Sequence, residues 1–450
     1  MSAAKAPHAP ARPWGRALAW LAFLGPFFFL SYGFANWVAA QREGVPSIVF
    51  AWERAIPFWG WTIVPYWSID LVYGLSLFVC ASRAELDAHA RRLLTAQLIG
   101  VACFLAFPLR LAAQRPDSDG LAGALFALLG SFDLPYNQLP SLHIALAVIL
   151  WSLFAPRLRG LARILLDLWF ILIGVSVLTT YQHHFVDVPT GFALGWLCVW
   201  LWPLPASGLE SPTAVWRRTA DPVRHRLAWT YGAGAAACLI VAVGLGEAAL
   251  WLTWPALSLA IVAIAYAGLG PAAFQKQADG DLSLAARWLL APYLAAAWLN
   301  SRWWTRRSPH PVHVADDVWL GRMPAAGDLA EHHFVGVVDL TAEMRLPAAP
   351  PERRVAPVLD LTVPDSRTLA AAAGHIEAIR TRGPVLVCCA LGLSRSACAV
   401  AAWLIETGRV SDIDNALACV RAARRDAVLG AGHAAALAAL QGCPPARGES

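Results

Sequence analysis

Residues 1–305 carry most of the long uncharged runs in the chain, whereas from 306 onward apolar and polar positions alternate over short stretches. A helix needs about 20 apolar residues to cross the hydrocarbon core. Runs of that order lie at 16–40, 62–82, 93–113, 141–156, 164–181, 188–205, 227–245 and 247–269, which predicts eight spans. The stretch 285–304 is apolar but dense in Trp and is followed by Arg306 and Arg307. That pattern favours a helix lying in the membrane interface over a ninth span. The N-terminal apolar run is too long for a signal peptide and is expected to stay as the first span.

After Trp304 the pattern changes to β-like runs at His313–Leu320, Val335–Leu340, Val355–Leu359 and Val385–Cys388. They alternate with helical stretches near 326–332, 367–381, 396–406, 411–424 and 431–440, which predicts an α/β domain with a largely parallel central sheet. The fold class expected is therefore multidomain, an all-α polytopic membrane bundle followed by a soluble α/β domain. The boundaries read as a membrane domain over 1–206 (core 50–205), further membrane or interfacial helices and linker over 207–305, the α/β domain over 306–445 and a tail at 446–450.

Composition agrees with a lipid-facing chain: 58% of the residues are hydrophobic and 14% charged, with 22 Trp, too little polar surface for an ordinary globule. The net charge of +5 is modest, and the arginines cluster beside apolar segments. They suit anionic lipid headgroups, and nothing reads as a nucleic-acid footprint. Nine cysteines, an odd number without metal-ligand spacing, imply no disulfide framework. Basic residues near span ends stay in the cytoplasm. The N-terminus and the loops holding Arg83, Arg91 and Arg92, then Arg157, Arg159 and Arg163, then Arg217, Arg218, Arg224 and Arg226 fall on one side if eight spans alternate. A multi-pass membrane protein follows, in the plasma or inner membrane if bacterial, with the C-terminal domain cytoplasmic. Arg110 and Arg115 fall on the opposite face, against the charge rule, and phosphate binding would account for them.

Three polar clusters interrupt the membrane half on that face: Arg110 with Arg115-Pro116, Pro140-Ser141-Leu142-His143, and His183-His184-Phe185-Val186-Asp187. Taken singly, Ser-x-His at a helix start is usually a cap, and His and Asp four apart are often a surface pair. Jointly, at span ends where ionisable groups are costly unless used, they form a kit for phosphoryl transfer. A histidine attacks phosphorus, a carboxylate orients it, a second histidine protonates the leaving oxygen, and arginines with a hydroxyl hold the anion.

These residues resemble the type-two phosphatidic acid phosphatase superfamily, and within it the inositol phosphoceramide and sphingomyelin synthase branch, over about 50–205. By that resemblance His183 is the nucleophile, with His184 as its competitor, Asp187 the orienter and His143 the general acid. Ser141, Arg115 and Arg110 would bind phosphate. Arg110 sits closer to Arg115 than the family's spacing, and Ser176 is followed by Val177 where the family has Ser-Arg. The missing arginine is compatible with the synthase branch and leaves water or a lipid alcohol open as acceptor.

In the C-terminal half, Val385 to Ser396 (VLVCCALGLSRS) reads as a buried strand, a tight loop and a helix start. Backbone N–H groups then converge on one anion, a thiol at the loop's start gains acidity, and Arg395 is placed for bidentate contacts. Gly392 permits the turn. The stretch 311–440 resembles the dual-specificity branch of the cysteine-dependent phosphatases, also through Val318-Trp319-Leu320-Gly321-Arg322 and Gly336-Val337-Val338-Asp339-Leu340-Thr341. The resemblance implies Cys389 as nucleophile, Arg395 as oxyanion ligand, and Ser396 or Ser394 assisting the leaving thiolate. Asp360 would be the general acid, with Asp365 in reserve. Cys388 stands where that family usually has His.

The expected function is a bifunctional enzyme acting on a phospholipid or lipid phosphate. A histidine site on the outer face would cleave or transfer a phosphate-linked headgroup, and a cytoplasmic cysteine site would be a phosphomonoesterase. Neither chemistry calls for a metal or other cofactor. A phosphoprotein is the alternative substrate of the cysteine site, with the membrane half as sensor, and a non-catalytic phosphate-binding regulator is the third reading.

Overall fold

The computed structural model describes residues 12–347 and 352–441; the tail expected at 446–450 lies outside the described residues. The chain divides into two compact units, Met1–Thr213 and Ala214–Ser450.

The first unit is helical: α1 (Trp14–Ala40), α2 (Ile63–Ser76), α3 (Arg83–Ala106), α4 (Gly120–Gly130), α5 (Leu142–Phe154), α6 (Gly160–Thr179) and α7 (Asp187–Leu201). Glycine lets α5 and α7 touch backbone to backbone. A Cβ at Gly191 would lie 2.4 Å from the Ser141 carbonyl oxygen, and one at Gly195 would lie 2.8 Å from that of Ala145. Small residues at such a seam are how helices associate in lipid, where the hydrophobic effect offers no drive. The seam sets the first turns of the two helices side by side, and the Ser141 N–H donates to the Asp187 carbonyl at 3.1 Å.

After a single helical turn, α8 (Pro212–Val215), come α9 (Pro222–Leu245), α10 (Thr253–Ile264), α11 (Leu284–Leu289) and α12 (Ala291–Trp304). Four helical stretches are long and apolar enough to cross a membrane, Trp14–Ala40, Gly160–Thr179, Pro222–Leu245 and Glu247–Phe274. The chain is a membrane protein. The other four expected spans form shorter or more polar helices. α2, α5 and α7 have 14, 13 and 15 residues, and α3 opens in a charged first half. Apolar runs at 141–156 and 188–205 overshoot their helices because part of each run lies in flanking turns. The 285–304 stretch breaks at Leu290, because Pro292 has no N–H to give the preceding turn. The carbonyl of Trp288 accepts instead from the Trp254 indole at 2.9 Å.

The α/β part follows with β1 (Val312–Ala315), β2 (Val318–Arg322), α13 (Ala326–His332), β3 (Gly336–Thr341), β4 (Glu352–Val358), α14 (Ser366–Arg380), β5 (Val385–Cys389), α15 (Arg395–Glu406), α16 (Ile413–Ala423) and α17 (Ala431–Gln441). The sheet order is β1-β2-β5-β3-β4, parallel except for β1 against β2. The single run expected over His313–Leu320 is a hairpin, because Asp316 turns the chain at φ 46°. Val338, Val385 and Val387 fill one face of the sheet together with Ile376 of α14 and Trp403 of α15.

The segment 275–283 is stitched to this domain. Lys276 pairs with the buried Asp339 and also donates to Thr341 Oγ1 at 3.0 Å. Gly280 accepts from the Leu346 N–H at 3.0 Å, and Arg345 meets Asp281. Removing one partner of a buried pair strands the other charge, so Lys276→Ala is expected to destabilise the full chain by about 3–5 kcal/mol. Arg345→Ala, at an exposed pair, should cost less than about 1 kcal/mol. Thermal unfolding of both variants in detergent checks the contrast, and equal losses would contradict it.

Candidate functional site

In the first unit, a cavity of about 600 Å³ is lined by Arg110, Arg115, Asp133, Asn137, Gln138 and His183 among others. A narrower one of about 50 Å³ shares Tyr66, Asp133 and His183 with it and adds His143. His183 Nδ1 lies 3.1 Å from Asp187 Oδ2, and Asp187 is fully buried. With Nδ1 so engaged, the nitrogen His183 can offer the cavity is Nε2. The same carboxylate oxygen accepts the His184 N–H at 2.9 Å.

His184 is held differently. Its Nε2 accepts the Ala112 N–H at 2.9 Å, so Nδ1 carries the proton and donates to Glu53 Oε2 at 3.0 Å. Both ring nitrogens are thus engaged, Nε2 tying the loop that holds Arg110 and Arg115, and Nδ1 the turn at Glu53, to the residues just ahead of α7. His143 stacks on Tyr66 with ring centroids 3.8 Å apart and has Nε2 3.3 Å from the Tyr66 carbonyl.

Arg115 lies over the Phe126 ring at 4.5 Å, and its Nε is buried with no hydrogen-bond partner among the described residues. Such an orphan donor beside a polar cavity is suited to an anion. Ser141 is fully buried, caps α5 through the Ile144 N–H, and does not line either cavity. Asp133, which sequence reasoning missed, accepts from the Tyr32 hydroxyl at 3.0 Å and the Asn36 amide at 3.2 Å. Burial pushes its carboxyl above the usual range against those bonds. Glu53, equally unforeseen, is the anchor of His184.

In the second unit, Cys389 ends β5 in register with Arg322 of β2, at the carboxyl edge where α/β sheets bind ligands. The Gly392 N–H points to Cys389 Sγ at 3.3 Å, and the Ser396 hydroxyl donates to it at 3.1 Å. Gly392 is left-handed at φ 72°, and a Cβ there would lie 2.4 Å from the Gly321 carbonyl carbon. Only glycine fits that turn. Ser394 faces elsewhere: the Gly430 N–H donates to His433 Nδ1 at 3.2 Å, so His433 Nε2 carries the proton to the Ser394 hydroxyl at 2.9 Å.

Arg395 opens α15 and is buried. It donates to both oxygens of Glu343 at 3.0 and 2.8 Å, to the Val358 carbonyl at 2.8 Å and to Asp360 Oδ1 at 2.8 Å. Glu343 was not foreseen, although its place just after β3, at the same sheet edge, was a usable signal. Burial alone would raise its carboxyl, but the Arg395 charge and hydrogen bonds hold it below the ordinary range. For Asp360 burial wins: its carboxyl is raised despite Arg395, and Glu343 adds to the effect. Asp365 instead caps α14 through the Thr368 N–H at 2.7 Å. Cys388 is fully buried, and burial followed by Asp339 pushes its thiol well up, which leaves it an inert neighbour of Cys389.

Family models match the chain twice, as the PAP2 superfamily over residues 90–206 and as the dual specificity phosphatase catalytic domain over residues 318–442. The chain is a fusion of these two phosphatase domains. Among solved structures, the dual specificity domain is similar to Tk-PTP in the active form, at 30% identity over 30% of this chain and 98% of that one, with a TM-score of 0.28. It is similar to human DUSP28 at 28% identity over 29% of this chain and 95% of that one, with a TM-score of 0.27. It is also similar to PTPMT1 in complex with PI(5)P at 20% identity, over 29% and 94%, with a TM-score of 0.27. Among curated proteins no match is found. Two phosphatase domains with membrane helices make the chain a membrane-associated phosphoric ester hydrolase acting on phosphorylated substrates.

Glu343→Gln keeps the shape and removes the charge facing Arg395, with an expected loss of about 1.5–3 kcal/mol of stability. The sign with pH follows from the lowered carboxyl. The gap to wild type is full above about pH 4.3, the ordinary glutamate value, and closes as pH falls through the lower folded value. Unfolding midpoints across pH 3–7 check it (~4 points suffice to place the closure), and a gap that widens in acid would contradict it.

Proposed function

We propose that this fusion is a bifunctional phospholipid enzyme, with a histidine site on the extracytoplasmic face and a cysteine site in the cytoplasm. The observation that carries the reading is the His183–Asp187 pair at a cavity that also holds Arg110 and the unpartnered Nε of Arg115. His183 Nε2 attacks phosphorus, the bond to the leaving lipid oxygen breaks, and His143 protonates that oxygen. Water or a lipid alcohol then attacks the phosphohistidine and returns its proton to His143. Arg110 and Arg115 hold the equatorial oxygens, and Ser141 supports the seam on which His143 and Asp187 sit. The synthase-like branch, and with it transfer to an alcohol, rests on the sequence resemblance.

At the cysteine site the thiolate of Cys389 attacks phosphorus while Asp360 gives its proton to the departing alcohol. Water then cleaves the thiophosphate, returning a proton to Asp360, and the Ser396 hydroxyl stabilises the thiolate that leaves. Phosphate binding exchanges the Asp360–Arg395 contact for a phosphate–Arg395 one, which frees the acid. The extracytoplasmic and cytoplasmic placements rest on the basic loops.

In vesicles, His183→Ala is expected to abolish headgroup release or exchange while leaving aryl phosphate hydrolysis intact, and Cys389→Ser should do the reverse. Loss of both activities in either variant would contradict two independent sites. Asp360→Asn should lower alkyl phosphate turnover about 10²–10⁴-fold. It should also remove the fall in wild-type rate seen as pH rises through the raised Asp360 value. A pH profile unchanged by the substitution would exclude Asp360 as the acid.

A further inference from the structure

The general-acid loop of the cysteine site is fastened to a membrane-spanning helix within the same compact unit. The Tyr266 hydroxyl, on the span Glu247–Phe274, donates to the Asp360 carbonyl at 2.8 Å. The level of Tyr266 in the bilayer is marked by its neighbour. Arg224, in the first turn of the span Pro222–Leu245, donates to the Tyr266 and Ala265 carbonyls at 3.1 and 3.2 Å. A guanidinium at a span's first turn belongs at the headgroup layer, which is also where tyrosine concentrates.

The rim of the site is apolar at the same place. Leu361, directly after Asp360, is 65% exposed; Val363 is 40% exposed and Val428 60%. The Val428 N–H donates to the Leu393 carbonyl at 2.7 Å, inside the loop that holds Cys389. These three are the exposed large hydrophobic residues found after Trp304 among the described residues, and all stand beside Asp360 or the cysteine loop. Leu361 is also left-handed at φ 57°. A leucine held there pays strain that asparagine or glycine would not, and such outliers persist at ligand clamps.

We propose that the mouth of the Cys389 site is seated in the headgroup layer of the membrane crossed by α9 and α10. Leu361, Val363 and Val428 enter the lipid as its rim, and its substrate is a phosphomonoester whose body stays in the bilayer, a lipid with a terminal phosphate. The inference rests on the reading of Cys389 as a phosphomonoesterase nucleophile and adds the class of substrate and how it arrives.

The test uses the full chain carrying His183→Ala, to silence the other site, in phosphatidylcholine vesicles. The probes are phosphatidylinositol monophosphate, phosphatidylglycerophosphate, soluble p-nitrophenyl phosphate and a phosphotyrosyl peptide. Leu361→Asn with Val428→Asp removes the two most exposed of the three apolar rim residues while suiting the left-handed backbone at 361. The ratio of lipid to aryl phosphate turnover is expected to fall about tenfold or more, the factor one buried leucine side chain represents. Aryl phosphate turnover in the variant reports that the site is folded. A lipid ratio unchanged between variant and parent overturns the inference alone, and a parent that prefers the phosphopeptide overturns it together with the phospholipid reading of the cysteine site while leaving that site a phosphatase. A parent inert toward every probe overturns the phosphatase reading and the inference with it.

Discussion

A charge withdrawn from water must be met by an opposite charge or by hydrogen bonds, and both halves of this chain are organised by that requirement. In the helical unit the two adjacent histidines have opposite fates because of it. His184 is matched at both nitrogens by Ala112 and Glu53, whereas His183 is matched at one by Asp187. In the second unit Arg395 is met by Glu343 and by Asp360. The first partner holds the buried guanidinium in place, and in the proposed reaction the second is the one that a phosphate replaces. Each site is thus a structure of satisfied charges with one group left to the substrate.

The supporting scaffold differs between the units because their surroundings differ. Where lipid removes the hydrophobic drive between helices, Gly191 and Gly195 bring α5 and α7 to backbone contact, and that contact aligns Ser141 with Asp187. In the α/β unit a conventional apolar core around Trp403 holds the sheet, and the loop after Cys389 needs only one glycine, Gly392, to turn back over Gly321. The segment carrying Lys276 is an integral part of that unit, since the lysine neutralises Asp339 beneath the loop.

Much of this was legible in the sequence where the signal is local. The strand, loop and helix around Cys389 follow from VLVCC, Gly392 and SRS within a dozen residues or so, and the helices of the α/β half fell within a few residues of their expected places. Contacts between distant segments were not legible. Glu343 on Arg395, Glu53 on His184, Tyr266 on Asp360 and Lys276 on Asp339 join residues from 52 to 131 positions apart, and no periodicity encodes such pairs. The helix break ahead of Pro292 was missed for a different reason, since apolarity continues through it, whereas the hairpin had a local polar signal in Asp316-Asp317 that the single-run reading passed over.

The two proposed nucleophiles, His183 and Cys389, would leave different covalent marks. Phosphohistidine is labile in acid and stable in alkali, while a phosphocysteine withstands brief acid. The most direct measurement is rapid quench of the full chain with radiolabelled lipid phosphate, followed by peptide mapping under both conditions. The account predicts an acid-labile label on His183 and an acid-resistant one on Cys389. A label on His184, or a chain that never carries label at either residue, would contradict it.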